Sequence, residues 1–445
     1  MSTTFFQDMK AMRKAWLLFL PWMLFYAASY FQRTAIPGTT FGIFQSEFGY
    51  TAAQIAGLTA AFVYIYSPFQ VVIGMLVDKF GGMRTVTVGG AILCTGVLGF
   101  PLSCGNLILM YFFRFLTGMG ASFLYLSLVK ETDRVFGRKN YAVMLGIVYF
   151  IGYGGGLCGT LPFELVCRHF NWNNALILIG LISFALYMMF LFAKRFVPQP
   201  PIKEKKLSLA PVWQICKNPL TWPIVYCCAV NFACNSITQM VFGKKFLEDA
   251  AGMNSTTAAT MIFVQTFVCM LALLSGGIQT RLTGNRRKPL MILSSALVVA
   301  NTLMMYFTVR YQLPGGFFVA GLIVYALGSG FSIAYPLACQ EVNSRDNNAL
   351  SAGFCNFASY LAIALASPLI GMLLDSYVDT ADRVAGQVVT YPMEAYEMLY
   401  LLTLIPVSLS LLLSFIIPET KGHFLHQHAP DSKEPYRHFL QANRR

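Results

Sequence analysis

Long apolar runs broken by short polar segments recur along the whole chain, and their length dictates the elements. About 20 largely apolar residues form a helix long enough to cross the hydrocarbon layer of a bilayer. Such runs fall near 15–45, 51–77, 85–103, 107–129, 141–161 and 174–195. A second set follows near 219–242, 256–280, 289–309, 315–339, 348–374 and 395–417. The first run is long, and Pro37-Gly38 is expected to kink it rather than end it. It begins near Ala15 and leads into further apolar segments without a small-residue cleavage site, so it reads as a retained helix. The predicted fold class is an all-α membrane protein of twelve transmembrane helices in two six-helix bundles. The expected divisions are residues 1–195 and 218–417, a cytoplasmic linker at 196–217 and a cytoplasmic tail at 418–445. The linker is Pro-rich and then basic (V-P-Q-P-P-I-K-E-K-K), a composition suited to joining two bundles.

Composition agrees. Charged residues are 11% of the 445, against about 25% in a soluble domain, and the mean hydropathy is +0.58. The net charge of +13 would point to nucleic acid if it formed a stripe, but the basic residues sit in short clusters between apolar runs. With the N-terminus placed inside, 25 Lys and Arg fall on the cytoplasmic side and five outside (Arg168, Lys244, Lys245, Arg310, Arg383). The positive-inside rule therefore puts both termini in the cytoplasm of a multi-pass protein of the cell inner membrane. Only Arg33 and Arg114 fall within spans. The eleven cysteines are scattered, mostly in apolar segments, with no C-x-x-C pair, and read as small apolar side chains.

The two halves echo each other. Gly74, Asp78, Gly81 and Arg84 follow the second span, and Gly277, Arg281, Gly284 and Arg287 follow the eighth, each 203 residues later. Gly118-Met-Gly120-Ala-Ser before Glu131 is matched by Gly328-Ser-Gly330-Phe-Ser before Glu341, at an offset of 210. Equivalent loops at a shared offset indicate parallel repeats.

G-M-L-V-D-K-F-G-G-M-R (Gly74 to Arg84) resembles the signature loop of the major facilitator superfamily, and Arg114 with Gly118 and Gly120 resembles its fourth-helix motif. Tyr30-Phe-Gln-Arg33, T-A-A-Q-I-A-G-L and Y-S-P-F-Q are similar to the anion:cation symporter and organophosphate antiporter branches, whose first helix carries an Arg that binds anionic substrates. Arg33 matches it. The organophosphate branch often has a Lys where this chain has Gln70, and the seventh span holds no Arg, which leads away from a phosphate substrate. In the resemblance, Gly74, Asp78, Gly81 and Arg84, with Gly277, Arg281 and Arg287 in the other half, latch cytoplasmic ends. Glu131 and Arg134 are their candidate partners.

An ionised group in the bilayer core is costly unless it faces a wet cavity or a partner. Arg33 is therefore the leading substrate contact, and Arg114 is either a second contact or a brace. Tyr26 and Tyr30 share the Arg33 face at helical spacing. Asn231, Asn235 and Gln239 form a stripe at i, i+4 and i+8 that reads as a cavity wall or as interhelical glue. Gln265, Asn356, Tyr360 and Tyr64 complete the candidate set, and Tyr66, Tyr149 and Tyr153 are further tyrosines that could line the pore or serve as packing. All 19 Asp and Glu fall in loops, tails or helix ends, so no buried carboxylate is expected and the cavity is positive. His423, His426 and His428 lie in the tail, no histidine lies in a span, and neither a metal nor another cofactor is expected.

The expected function is secondary active transport, by alternating access, of a small organic anion or zwitterion. A proton or sodium ion is a possible coupling partner, and the expected state is a monomer in the lipid bilayer. An exporter or exchanger of amphipathic compounds is the alternative, on the aromatic content and the glycine-rich fifth span (Gly146, Gly152, Gly154–Gly156, Gly159). A non-transporting sensor on the same fold is a third reading. An intramembrane enzyme is excluded by the lack of a carboxylate, histidine or metal cluster in the spans.

Overall fold

The computed structural model describes residues 2–103, 105–199, 202, 210–344, 347–384 and 387–425; the tail residues His426 and His428 lie outside these. After α1 (Ser2–Ala35), eleven helices among the described residues are long and apolar enough to cross a membrane. They are α2 Ala52–Phe80, α3 Gly82–Leu102, α4 Leu107–Phe136, α5 Met144–His169, α6 Trp172–Phe196, α7 Thr221–Ala251, α8 Ser255–Leu274, α9 Lys288–Arg310, α10 Gly315–Glu341, α11 Leu350–Asp375 and α12 Met393–Ile416. Helical bonding runs on from α4 into α5, yet the Tyr125 and Tyr149 hydroxyls hydrogen-bond each other, so the chain has folded back between them. A short hairpin, β1 (Asp382–Val384) with β2 (Gln387–Thr390), links α11 to α12.

Local chemistry sets the helix starts. Thr51 and Gln54 form a reciprocal capping box at α2, and Asn106, Asn171 and Asn254 accept backbone N–H groups at the starts of α4, α6 and α8. Two boundaries differ from expectation. Pro37 ends α1 at Ala35 instead of kinking it, and a short helix, Phe41–Phe48, follows; proline lacks an N–H and disfavours helical backbone at Ile36. The seventh span runs past 242 to Ala251, so it carries Lys244 and Lys245 after all. Pairs at i, i+4, Lys244–Glu248 at 3.7 Å and Lys245–Asp249 at 2.7 Å, extend a helix that apolarity alone does not reveal. A π-helical stretch, Thr238–Phe242, interrupts it.

The repeat read from the loops is visible in the packing. The pairings α1–α5, α1–α6, α2–α4, α3–α4 and α3–α6 recur as α7–α11, α7–α12, α8–α10, α9–α10 and α9–α12. The ends of α4 and α10 repeat it too. Glu131 accepts from Gly82 N at the start of α3 (2.8 Å), and Glu341 holds Arg287 at the start of α9 (2.9 Å). Across the halves, α2 packs on α11 and α5 on α8.

Glycines permit the closest approaches. A Cβ on Gly155 would lie 2.0 Å from Ala27 O, so α5 presses directly on α1 and brings Tyr153 against Tyr30. That contact supports the packing role of the fifth-span glycines. Gly371 does the same between the halves: its Cβ would lie 2.5 Å from Ala53 Cα.

Candidate substrate-binding site

Arg33 sits at the centre of the molecule in a setting that the helices above create. It is 6% exposed, its Nη1 donates to the Tyr360 hydroxyl on α11, and its guanidinium lies 3.8 Å from the centre of the Tyr30 ring. Its Nε is buried with no hydrogen-bond partner among the described residues. Tyrosines wall it in. Tyr30 meets Tyr26 (5.0 Å between ring centres) and Tyr153 (5.6 Å), and Tyr66 meets Tyr360 (4.7 Å). Tyr26 also stacks on Tyr125, 6.0 Å away. Aromatic faces carry partial negative charge and hold a guanidinium without neutralising it. The positive charge therefore remains available to a ligand.

The structure brings together Arg33, Tyr26, Tyr30 and Tyr360, with Asn356 one turn from Tyr360 on α11. It does not bring Tyr64 to them. That ring is 45% exposed and shares the outer face of α2 with Val72, because a residue two positions from Tyr66 points to the opposite side of a helix. Tyr66 and Tyr153 are candidates that composition could not rank against Tyr64, and Tyr125 is the member that sequence reading missed. Tyr66 stands at i+33 from Arg33, and only the packing of α2 on α11 joins them.

The predicted amide stripe divides. Asn231 donates to Tyr335 (2.8 Å) and Ser295 (3.2 Å) and accepts from Ser410 (3.3 Å), so its amide is enclosed by α9, α10 and α12. This is the interhelical glue reading. Farther along α7, Asn235 accepts from Gln265 (3.2 Å) and Gln239 donates to Thr266 (2.9 Å), both on α8. Gln265 Oε1 is buried without a hydrogen-bond partner among the described residues.

Arg114 is 1% exposed and directs three donors to backbone carbonyls: Nε to Leu58 (3.2 Å), Nη1 to Gln32 (2.9 Å) and Nη2 to Ile36 (3.0 Å). It ties α4 to α1 and α2, and the Phe62 ring covers its guanidinium at 4.9 Å. Replacing Arg114 with Met should remove the three side-chain bonds that tie these helices together and cost on the order of 3 kcal/mol. A fall in the melting temperature of the purified protein, with ligand affinity kept in the folded fraction, checks this. Loss of affinity at unchanged stability would mark a ligand contact instead.

The expectation that no carboxylate is buried is corrected. Glu131, Glu164 and Glu341 are buried, and so is the Asp249 carboxylate. Each lies near a helix end with a basic partner, so hydropathy treats it as loop, yet packing closes over the pair. At the end that carries the α2–α3 and α8–α9 loops, the pairs among the described residues stay within one half: Asp78–Lys130 at 2.6 Å, Glu131–Arg134 at 2.5 Å and Arg287–Glu341. Arg84 donates to Phe80 O (3.1 Å), Gly81 adopts φ +84 at the α2 end, and Gly74 faces Leu126. Gly277 and Arg281 lie on a short helix, Gly276–Leu282, after α8, with Arg281 exposed.

The opposite end, which the positive-inside count places outside, is different, because there the bonds cross between halves. Lys244 on α7 donates to Glu164 on α5 (2.5 Å) and to Thr39 O (3.0 Å), and Ser255 donates to the same Glu164 (2.7 Å). Asp375, at the end of α11, accepts from Ala52 N (2.8 Å) and Ala53 N (2.9 Å), capping α2 from the other half. These bonds close the molecule at that end. Sequence reading placed the gate residues at the inner end only, and the outer set carried no motif to reveal it.

Two repeated six-helix halves around a buried cation form the architecture of membrane transport proteins. Residues 22–377 match the family model of the Major Facilitator Superfamily, and the chain belongs to that family. It is 23% identical over 195 residues to the probable sulfoacetate transporter SauU of Cupriavidus necator, covering 43% of this chain and 44% of that protein, less than half its length. It is 22% identical over 379 residues to the membrane sensor protein UhpC of Salmonella typhimurium, covering 78% of this chain and 83% of that one. Monocarboxylate transporter 14 of Homo sapiens is 26% identical over 135 residues, 30% of this chain and 26% of that protein. Among solved structures, the D-xylose-proton symporter superposes with a TM-score of 0.70 at 14% identity, covering 92% of this chain and 99% of that one. A mutant of the nucleoside transporter NupG gives 0.69 at 14% identity, covering 90% and 98%. At that identity the structural likeness speaks for the fold alone.

Proposed function

We propose that the protein is a secondary transporter of a small organic anion, with Arg33 as the group that recognises the charge. The observation that carries this reading is the buried Arg33 guanidinium, held by tyrosines and a hydroxyl, with an unpartnered Nε and no carboxylate on it among the described residues. A buried cation left in that state favours an anion that completes its hydrogen bonds. The relatives named for sulfoacetate and for monocarboxylates carry organic anions in their names, which supports the same class.

Alternating access supplies the cycle: the halves rock about the central site, and the outer latches release as the inner ends draw together. In this scheme Asp78, Arg84, Glu131, Arg134 and Arg287 change partners when the inner end closes, and Arg114 serves as the brace that keeps α1 against α4. A proton or sodium gradient across the inner membrane drives the step, with both termini in the cytoplasm.

The match to a membrane sensor protein favours a second reading, in which the same site binds its anion without net transport. Purified protein in liposomes separates the readings. A transporter takes up a binding anion under an imposed proton or sodium gradient and exchanges it against unlabelled anion. Binding without flux under every gradient would establish the sensor reading. Accumulation in inside-out vesicles, driven by a proton gradient, would establish export.

A further inference from the structure

We infer that the site is a single-charge filter, accepting monovalent organic anions over divalent ones, and that Gln70 sets this limit. The inference rests on the anion reading of Arg33 and goes on to the valence of the substrate.

Four buried basic side chains lie between mid-membrane and the outer end: Arg33, Arg114, Lys244 and Lys245. Three are closed to a ligand. Arg114 is held by three carbonyls, Lys244 by Glu164 and Thr39 O, and Lys245 by Asp249 at 2.7 Å. Arg33 therefore offers the one formal positive charge that reaches the site among the described residues. Among the described residues, the polar side chains in contact with it, Tyr30 and Tyr360, are uncharged.

Gln70 is a buried polar group one helical turn from Tyr66. It is 4% exposed, and its Nε2 has no hydrogen-bond partner among the described residues. It belongs to the α2 face turned toward α11. One turn earlier, Tyr66 touches Tyr360, the residue that accepts from Arg33, and Ser67 donates to Phe357 O on α11 at 2.7 Å. Residues at i, i+3 and i+4 lie on one side of a helix, so Gln70 continues this wall one turn toward the inner end. Its amide supplies N–H donors without charge. On the opposite half the polar groups are again amides, Asn235, Gln239 and Gln265. A second anionic group on the substrate would be desolvated against amides with no cation to pair it, which is strongly unfavourable, whereas a hydroxyl or carbonyl there meets no such penalty.

The test measures thermal stabilisation of the purified full-length chain by anion pairs matched in size: butyrate with succinate, gluconate with glucarate, benzoate with phthalate. At neutral pH a monoanion is expected to bind at least about tenfold more tightly than its dianionic partner. Gln70→Lys should raise dianion affinity and reverse the preference, while Gln70→Met, neutral and without donors, should weaken both members of a pair and leave their ratio in place. Lowering the pH below the second pKa of succinate converts it to a monoanion and should bring its affinity for the unaltered protein up to that of butyrate, a check that needs no variant. Equal affinity for both members of a pair in the unaltered protein would overturn the single-charge limit while leaving Arg33 as an anion site. A folded Gln70→Lys protein with an unchanged ratio would overturn the role of Gln70. Stabilisation by none of the anions would instead overturn the anion reading itself, and this inference with it.

Discussion

Arg33→Ala should abolish saturable anion transport while leaving the protein inserted, folded and as heat-stable as before. The buried guanidinium is the charged half of the recognition, and removing one partner of a desolvated charge pair costs ~2–5 kcal/mol. At 1.4 kcal/mol per factor of ten, affinity for the bound anion falls roughly 30- to several-thousand-fold. The unliganded protein loses little, because Arg33 makes one hydrogen bond to Tyr360 and leaves Nε unpartnered. Arg33→Lys keeps the charge but not the planar fork or the stacking on Tyr30, so it should recover only part of the affinity. The measurement is ligand-induced thermal stabilisation beside liposome uptake, with melting of the unliganded protein as the control. A variant that transports at the normal rate, or that simply melts early, would show Arg33 to be a packing brace.

The second large effect is expected at the outer latch. Lys244 and Glu164 join the halves in a buried pair, and Lys244→Ala leaves the Glu164 carboxylate without its strongest partner. Breaking a buried pair from one side costs ~3–5 kcal/mol, here against the outer-closed state only. Moving an equilibrium from 1:99 to 99:1 takes about 5.5 kcal/mol, so this loss is enough to bring a rare outer-open state to parity or beyond. Asp375→Ala, which uncaps α2 across the interface, and Gly371→Val, whose side chain would meet the Ala53 backbone, should act in the same direction. Spin labels at Phe170 and Tyr311, exposed outer positions in the two halves, report the opening as a longer interlabel distance. The double replacement Lys244→Met with Glu164→Gln, which removes both charges, should open the protein less than Lys244→Ala. Unchanged distances in all three single variants would show that the outer contacts do not hold this state.

These two experiments divide along the line between what the chain announces and what folding adds. Most span positions, the repeat and Arg33 as a charge inside a span were legible in the amino-acid order. Each depends on local hydropathy, on a fixed offset, or on the cost of a charge among apolar neighbours, and none requires knowing which helices touch. Tyr360 and Gln265 could be named as candidates for the same reason, as polar groups inside apolar runs, but not assigned partners.

The outer latch, the tyrosine wall and the fate of the amides belong to the tertiary structure. Glu164 and Lys244 lie in segments of low apolarity that read as loops, and they become a buried pair only because α5 and α7 extend past their apolar cores and meet. Tyr64 and Tyr66 are equivalent by composition, and the packing of α2 on α11 alone decides that Tyr66 faces Arg33's partner. Asn231 and Asn235 stand one helical turn apart, yet one is enclosed by α9, α10 and α12 and the other turns to α8. The amino-acid order determined the twelve-helix, two-part architecture and the buried cation, because insertion into a bilayer is governed by each segment's own transfer free energy. Which side chains share the site, which are glue and which end is shut were decided by contacts between segments hundreds of residues apart. Local periodicity carries no record of those contacts.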